Sequence, residues 1–152
     1  MALGLLKTAL LTISVSMSMG LAAQVHNTTV GLITVCDGPI EVVRGGARFD
    51  AREGMPLQAQ DIARTLPGAR MARLETSVGA AIDLGPATQL LLHPATTPWP
   101  GERSALGYLA TGWAKLSAGS STVSNTAAIG LATASVHVAP LAAGVVLVQA
   151  QT

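Results

Sequence analysis

From residue 30 onward, apolar and polar positions alternate in short runs cut by turn residues about every eight to twelve positions, the period of strands with one buried face. Residues 30–35 are apolar, and Asp37-Gly38-Pro39 turns the chain into residues 40–44, where Ile40 and Val42 share one face and Glu41 points away. Gly45-Gly46 supplies the next tight turn. The alternation returns with Ala72, Leu74 and Thr76 opposed to Arg73 and Glu75, and again where Ile82 and Leu84 flank Asp83. Glu75 and Asp83 are thereby expected on a solvated face. Later strands are expected over residues 113–117, 133–138 and 144–149, and Phe49 and Trp113 fall on strand-like segments as core aromatics. No run has a helical period. The pattern predicts an all-β, antiparallel, sandwich-like domain.

Residues 94–101 hold three prolines with Trp99 between two of them, so they read as a surface connection rather than a helix or a central strand. This linker separates a first part rich in charge from a second part, residues 106–150. After Lys115, residues 116–152 contain no Asp, Glu, Lys or Arg. Either Ser, Thr, Asn and Gln satisfy the outer face of those strands, or a partner covers one edge.

The N-terminus differs from the rest. One cation, Lys7, precedes a mixed apolar stretch that ends on Gly20-Leu21-Ala22-Ala23, the order of a secretory signal. Ser14, Ser16 and Ser18 make the segment too polar and too short to span the bilayer comfortably. Residues 1–23 are therefore expected to be a signal peptide, with membrane contact only if it stays uncleaved, and residues 24–152 the exported domain. In an oxidising compartment the single cysteine, Cys36, has no internal disulfide partner and reads as a small core residue.

The formal net charge of the whole chain is +1, and its side chains are 49% hydrophobic, 11% charged and 3% aromatic. Nothing here approaches the basic excess of a nucleic-acid binder. One domain of this length also leaves no room for a multidomain enzyme.

Gly54, Leu57, Asp61 and Thr65, within the run from Gly54 through Gln60-Asp61-Ile62-Ala63-Arg64 to Thr65, resemble the glycine-leucine, aspartate, threonine signature of the FecR-like domain, a bacterial extracytoplasmic β module. Gly38, Ile40, Val42 and Arg44 are similar to its opening strand. Ala72, Leu74, Gly79, Ile82 and Leu84-Gly85-Pro86 fall where that family has an alternating strand, a turn and a leucine-glycine-proline motif before residues 90–92. Past the linker, Leu109 and Gly112-Trp113-Ala114-Lys115-Leu116 resemble its second glycine-led strand, and Thr126-Ala127-Ala128-Ile129-Gly130 faintly resembles its threonine-proline segment. The match is strongest over residues 38–92. The chain departs from the family with Gln60-Asp61 for Gly-Asp, Val78-Gly79 for Asp-Gly, and Ala132-Thr133-Ala134 for Arg-Gly-Thr.

The same residues have a plain physical reading. An Asp ahead of a strand accepts bonds from N–H groups two or three residues on, and a Thr closing it does likewise, so Asp61 and Thr65 are expected to fix a corner. Gly54, Gly79 and Gly85 read as turn or bulge positions needing a positive φ, with Pro86 fixing the exit of its turn.

No reaction centre is legible. His26, His93 and His137 lack second ligands at metal spacing, so no metal or other cofactor is expected. There is no nucleophile elbow around Ser77 or Ser104, and nothing selects either of them with His93 and Asp83 as a triad. Glu75, Asp61, Asp83 and Glu102 form no evident acid and base pair, and Gly45-Gly46 lacks the Lys and helix of a phosphate loop. Arg64, Arg70 and Arg73 read as a solvated basic face neutralised by Glu75 and Asp61. Trp99 and Tyr108, with Trp113, are the candidates for an exposed partner contact.

The resulting expectation is a non-enzyme: a periplasmic or secreted FecR-like binding or sensing module whose partner is another envelope protein. The family's transmembrane signal transducers carry a cytoplasmic segment where this chain has its signal, so their sigma-factor role is not transferred. Two alternatives remain. One is a surface-assembly subunit that self-associates through the uncharged C-terminal strands. The other is a carbohydrate-binding or hydrolytic envelope protein.

Overall fold

The computed structural model describes residues 28–93, 106–118, 131–133, 137–138 and 144–150. The expected signal peptide, the linker with Trp99, and His26, Glu102, Ser104 and residues 126–130 lie outside the described residues. In chain order the strands are β1 (Thr29–Asp37), β2 (Ile40–Arg44), β3 (Ala47–Asp50), β4 (Pro56–Gln58), β5 (Ile62–Thr65) and β6 (Met71–Thr76). They continue with β7 (Ala80–Leu84), β8 (Gln89–Leu92), β9 (Gly107–Ala118), β10 (Leu131–Ala132), β11 (His137–Val138) and β12 (Gly144–Ala150). Among the described residues there is no helix, so the protein is all-β as its alternation predicts.

The strands hydrogen-bond in the order β3-β2-β5-β8-β9-β7-β6-β1-β4, all antiparallel. β12 flanks the second half of β9, while β10 runs parallel to its first two residues and pairs with β11. The long strand β9 makes this one curled sheet. Its first residues, from Gly107 to Thr111, pair with β8, and from Ala114 onward it pairs with β7. Between them Gly112 sits at φ +84, and a Cβ there would stand 2.3 Å from Thr88 Oγ1. Only glycine permits this bend.

Three links cross between the two halves of the sheet at the level of that bend: residues 38–39, 66–70 and 85–88. Main-chain bonds stitch them together, from Arg70 N to Asp37 O at 2.8 Å, Leu66 N to Pro39 O at 3.0 Å, and Gly85 N to Trp113 O at 3.0 Å. Two buried threonines complete the spine. Thr65 Oγ1 donates to the Gly85 carbonyl and accepts the Thr88 N–H at 2.8 Å, while Thr88 Oγ1 accepts the Trp113 N–H at 3.1 Å. Each hydroxyl satisfies backbone groups that a bent sheet cannot pair within its own ladder.

The core lies inside the curl. Ile33, Leu74, Ile82 and Leu116 of one half join Val42, Leu90 and Leu109 of the other in one cluster, each at most 1% exposed. These are the inward positions of the alternating strands, and each full burial of such a side chain contributes about 1.5–3 kcal/mol.

Several positions differ from the sequence reading. In place of the expected strand over 133–138, Thr133 lies outside any strand and β10 and β11 pair antiparallel, Leu131 with Val138 and Ala132 with His137. Phe49 is 44% exposed rather than core, on a strand whose four residues are all exposed and which pairs only with β2 among the described residues. Gly54 and Gly79 hold a φ of +80 as expected, but Gly85 does not need a positive φ. A Cβ on Gly85 would run into the Trp113 indole, which lies over it, so Trp113 is half-buried on the outer face instead of in the core. Cys36 is also only half-buried, packed against the core edge, and burial, helped by Glu53, pushes its thiol pKa up.

Candidate interaction surface

The residues of the motif are placed in the scaffold. Leu57 is 1% exposed in the core, Thr65 occupies the spine, and Gly54 turns the chain toward β4. Asp61 is fully buried and accepts from Arg44 Nε at 2.8 Å, Arg44 Nη2 at 2.7 Å and the Gln58 N–H at 2.7 Å. It does fix a corner, but through a donor three residues before it and a guanidinium from β2, not through donors ahead of it. Arg44 Nη2 also reaches the Pro56 carbonyl at 2.9 Å, so one bidentate pair ties β2, β4 and the start of β5 together. Leu84 is buried, and Pro86 begins the exposed turn before Thr88, with Ala87 at φ 49.

The outer face of the half containing β6, β7, β9 and β12 has a different character. Strand register sets Arg73 opposite Asp83, Asp83 opposite Lys115, and Lys115 opposite Leu147. Asp83 Oδ1 accepts from Arg73 Nε at 2.6 Å, and Oδ2 accepts from Arg73 Nη2 at 3.0 Å and Lys115 Nζ at 2.9 Å. The two cations close over the carboxylate, so Asp83 is 4% exposed and not solvated as its outward position suggested. The Arg73 hydrogen bonds hold its carboxyl below the usual range against the opposing effect of burial, with Lys115 assisting. Glu75 remains exposed.

The three arginines of the expected basic face each have an acidic neighbour. Arg64 faces Glu41 at 3.7 Å and Arg70 pairs with Asp37 at 2.9 Å, so the three arginines are each engaged with a different carboxylate rather than with Glu75 and Asp61. Among the described residues no group of three His, Cys, Asp or Glu side chains is placed to hold a metal ion. Ser77 lies in the turn between β6 and β7, and Asp83 is committed to Arg73 and Lys115.

The edges of the sheet are unequal. β4 has only three residues and begins on Pro56, which has no N–H to offer. β3 has four residues and carries Arg48 and Asp50, both exposed. Short length, proline and charge are the usual ways in which an edge is blunted. β12 has none of these devices. It is seven residues long, uncharged, and pairs only with β9 among the described residues. On its outer face Val145 is 65% and Leu147 66% exposed, while Val148 on the inner face is 5% exposed.

Of the aromatic contacts expected from sequence, Trp113 lies on this outer face opposite Gln149, and Tyr108 is half-buried at the far end of β9. Trp99 lies outside the described residues. The sequence marks residues 144–149 as an uncharged strand but does not single out Val145 and Leu147, whose outward placement follows from the pairing of β12 with β9. No family model, curated protein or solved structure matches the chain.

Proposed function

We propose that this chain is an exported, non-catalytic binding module of the bacterial envelope, of the FecR-like type, which engages a protein partner by strand addition at β12. The observation that carries the reading is the β12 edge: long, uncharged, and bearing two exposed aliphatic side chains on a rigid sheet. An added strand gains main-chain hydrogen bonds, and Val145 and Leu147 supply apolar burial on one face.

The resemblance to the FecR-like signature gains support from its placement. Gln60, where the family has glycine, stands at φ 70, a conformation that favours glycine. The aspartate and threonine of the signature occupy buried, fully bonded posts. Residues 1–23 act in this reading as the export signal.

The test is in-cell photo-crosslinking of the full-length chain from position 147, with position 49 on β3 as the control edge. The expected result is a covalent adduct between this chain and a protein in the envelope fraction, from position 147 only, and its loss with Val145→Lys. A folded chain in that fraction giving no adduct from position 147, or an equal one from position 49, overturns the reading.

A further inference from the structure

We infer that the strand added at β12 is the β12 of a second copy of this chain, paired antiparallel about a two-fold axis through Leu147. The inference rests on the reading of β12 as an interaction edge and names its partner.

The argument starts from symmetry. Side chains opposite one another in an antiparallel pair share a face, so a two-fold pair of identical strands must centre on a residue. Leu147 is the middle of Gly144–Ala150, and centring there is the one register that pairs all seven residues. Leu147 then meets Leu147, Val146 meets Val148, Val145 meets Gln149, and Gly144 meets Ala150. No charge faces another in any of these pairs.

Charge behind the edge is also compatible with a copy. The row leading to the axis runs Arg73, Asp83, Lys115, Leu147, and the Lys115 ammonium is held 2.9 Å from Asp83 Oδ2, directed away from β12. Two copies therefore meet through leucines with their lysines drawn back onto carboxylates. On the inner face Val148, already 5% exposed, would gain Val146 of the second copy as a neighbour and lengthen the existing apolar row.

The other described edges offer a homotypic contact fewer residues. Pairing β12 with β3 would set Arg48 and Asp50 against an uncharged strand, and pairing with β4 would offer three residues and a proline. Among the described edges β12 with β12 is the longest self-complementary pair, seven residues against four for β3 with β3, and such an isologous contact closes as a dimer instead of propagating into a fibre.

The experiment joins mass and register. Sedimentation of the wild-type chain should give twice the chain mass, falling to one chain mass for Leu147→Lys with unchanged circular dichroism; Leu147 is exposed enough that this variant keeps its core. In a Cys36→Ala background, oxidation of Leu147→Cys should yield a covalent dimer, because opposed Cα atoms in either kind of antiparallel pair lie within disulfide reach. Val145→Cys alone should yield none, and Val145→Cys with Gln149→Cys should yield dimer again. A wild-type monomer, or dimer formation by Val145→Cys alone as readily as by Leu147→Cys, overturns the inference. An envelope adduct from position 147 to a different protein, with the chain itself monomeric, overturns the self-pairing and leaves the binding-module reading standing. No adduct of either kind removes both.

Discussion

Asp61 and Asp83 are both buried carboxylates gripped by an arginine in two-point geometry, yet they belong to different kinds of structure. Asp61 takes two bonds from Arg44 and one from the Gln58 backbone, and its side chain is 1% exposed beside an arginine 29% exposed. Asp83 takes all three bonds from side chains, and its partners Arg73 and Lys115 are each 40% exposed. The first ties a chain corner together from inside. The second is a cross-strand row on an outer face, in which each cation keeps access to water. The cost of a broken ion pair depends on what is left unpaired and how dry it is, more than on how short its bonds are.

The largest test of this contrast is Asp61→Ala. It leaves the Gln58 N–H and the Arg44 guanidinium, 29% exposed, without their acceptor and should cost about 2–3 kcal/mol in denaturant unfolding. Asp83→Ala leaves two cations that can turn to solvent, and should cost about 1–2 kcal/mol. Equal losses would show that the two sites are energetically alike and break the comparison.

The partners sharpen it. Arg44→Ala leaves Asp61 buried without its counter-charge and should cost within about 1 kcal/mol of Asp61→Ala, whereas Arg73→Ala leaves Asp83 with Lys115 and should cost less than about 1 kcal/mol. A double-mutant cycle on each pair measures the coupling directly.

Acid acts next. The Asp83 pKa is lowered from its ordinary 3.8, chiefly by the Arg73 hydrogen bonds, so its contribution is present above that value and fades as pH falls through the folded-state pKa. Unfolding curves of wild type and Asp83→Asn should therefore lie apart at neutral pH and converge below about pH 4. A gap that persists in strong acid would remove the carboxylate from the account. The smallest effect is that of salt. Raising ionic strength from 0.1 M to 1 M should reduce the Asp83 contribution by a few tenths of a kcal/mol and that of Asp61 by less, since Arg44 is less exposed than Arg73 and Lys115.

The two sites were not equally legible. The corner role of Asp61 follows from an Asp beside a strand start, but Arg44 lies 17 residues away and only the pairing of β2 with β5 brings it there. Asp83 was placed on the correct face by alternation and then wrongly judged solvated. Alternation within β7 says nothing of β6 and β9, whose register sets Arg73 and Lys115 on either side of it. Phe49 failed for the same reason: alternation within β3 does not say whether either of its faces lies over the packed interior.

Composition, turn residues and the period of two determined by themselves that this chain is all-β, roughly where strands such as β1, β2, β6, β7 and β12 lie, and that its last strand carries no charge. Those are local properties, set by φ preferences and by which side chains avoid water. The bend at Gly112 against Thr88, the closure of two cations over Asp83, and the position of β12 beside β9 alone among the described residues were decided only by tertiary structure. Each depends on which strand lies beside which, and strand pairing is a contest among segments distant in sequence that no local pattern resolves.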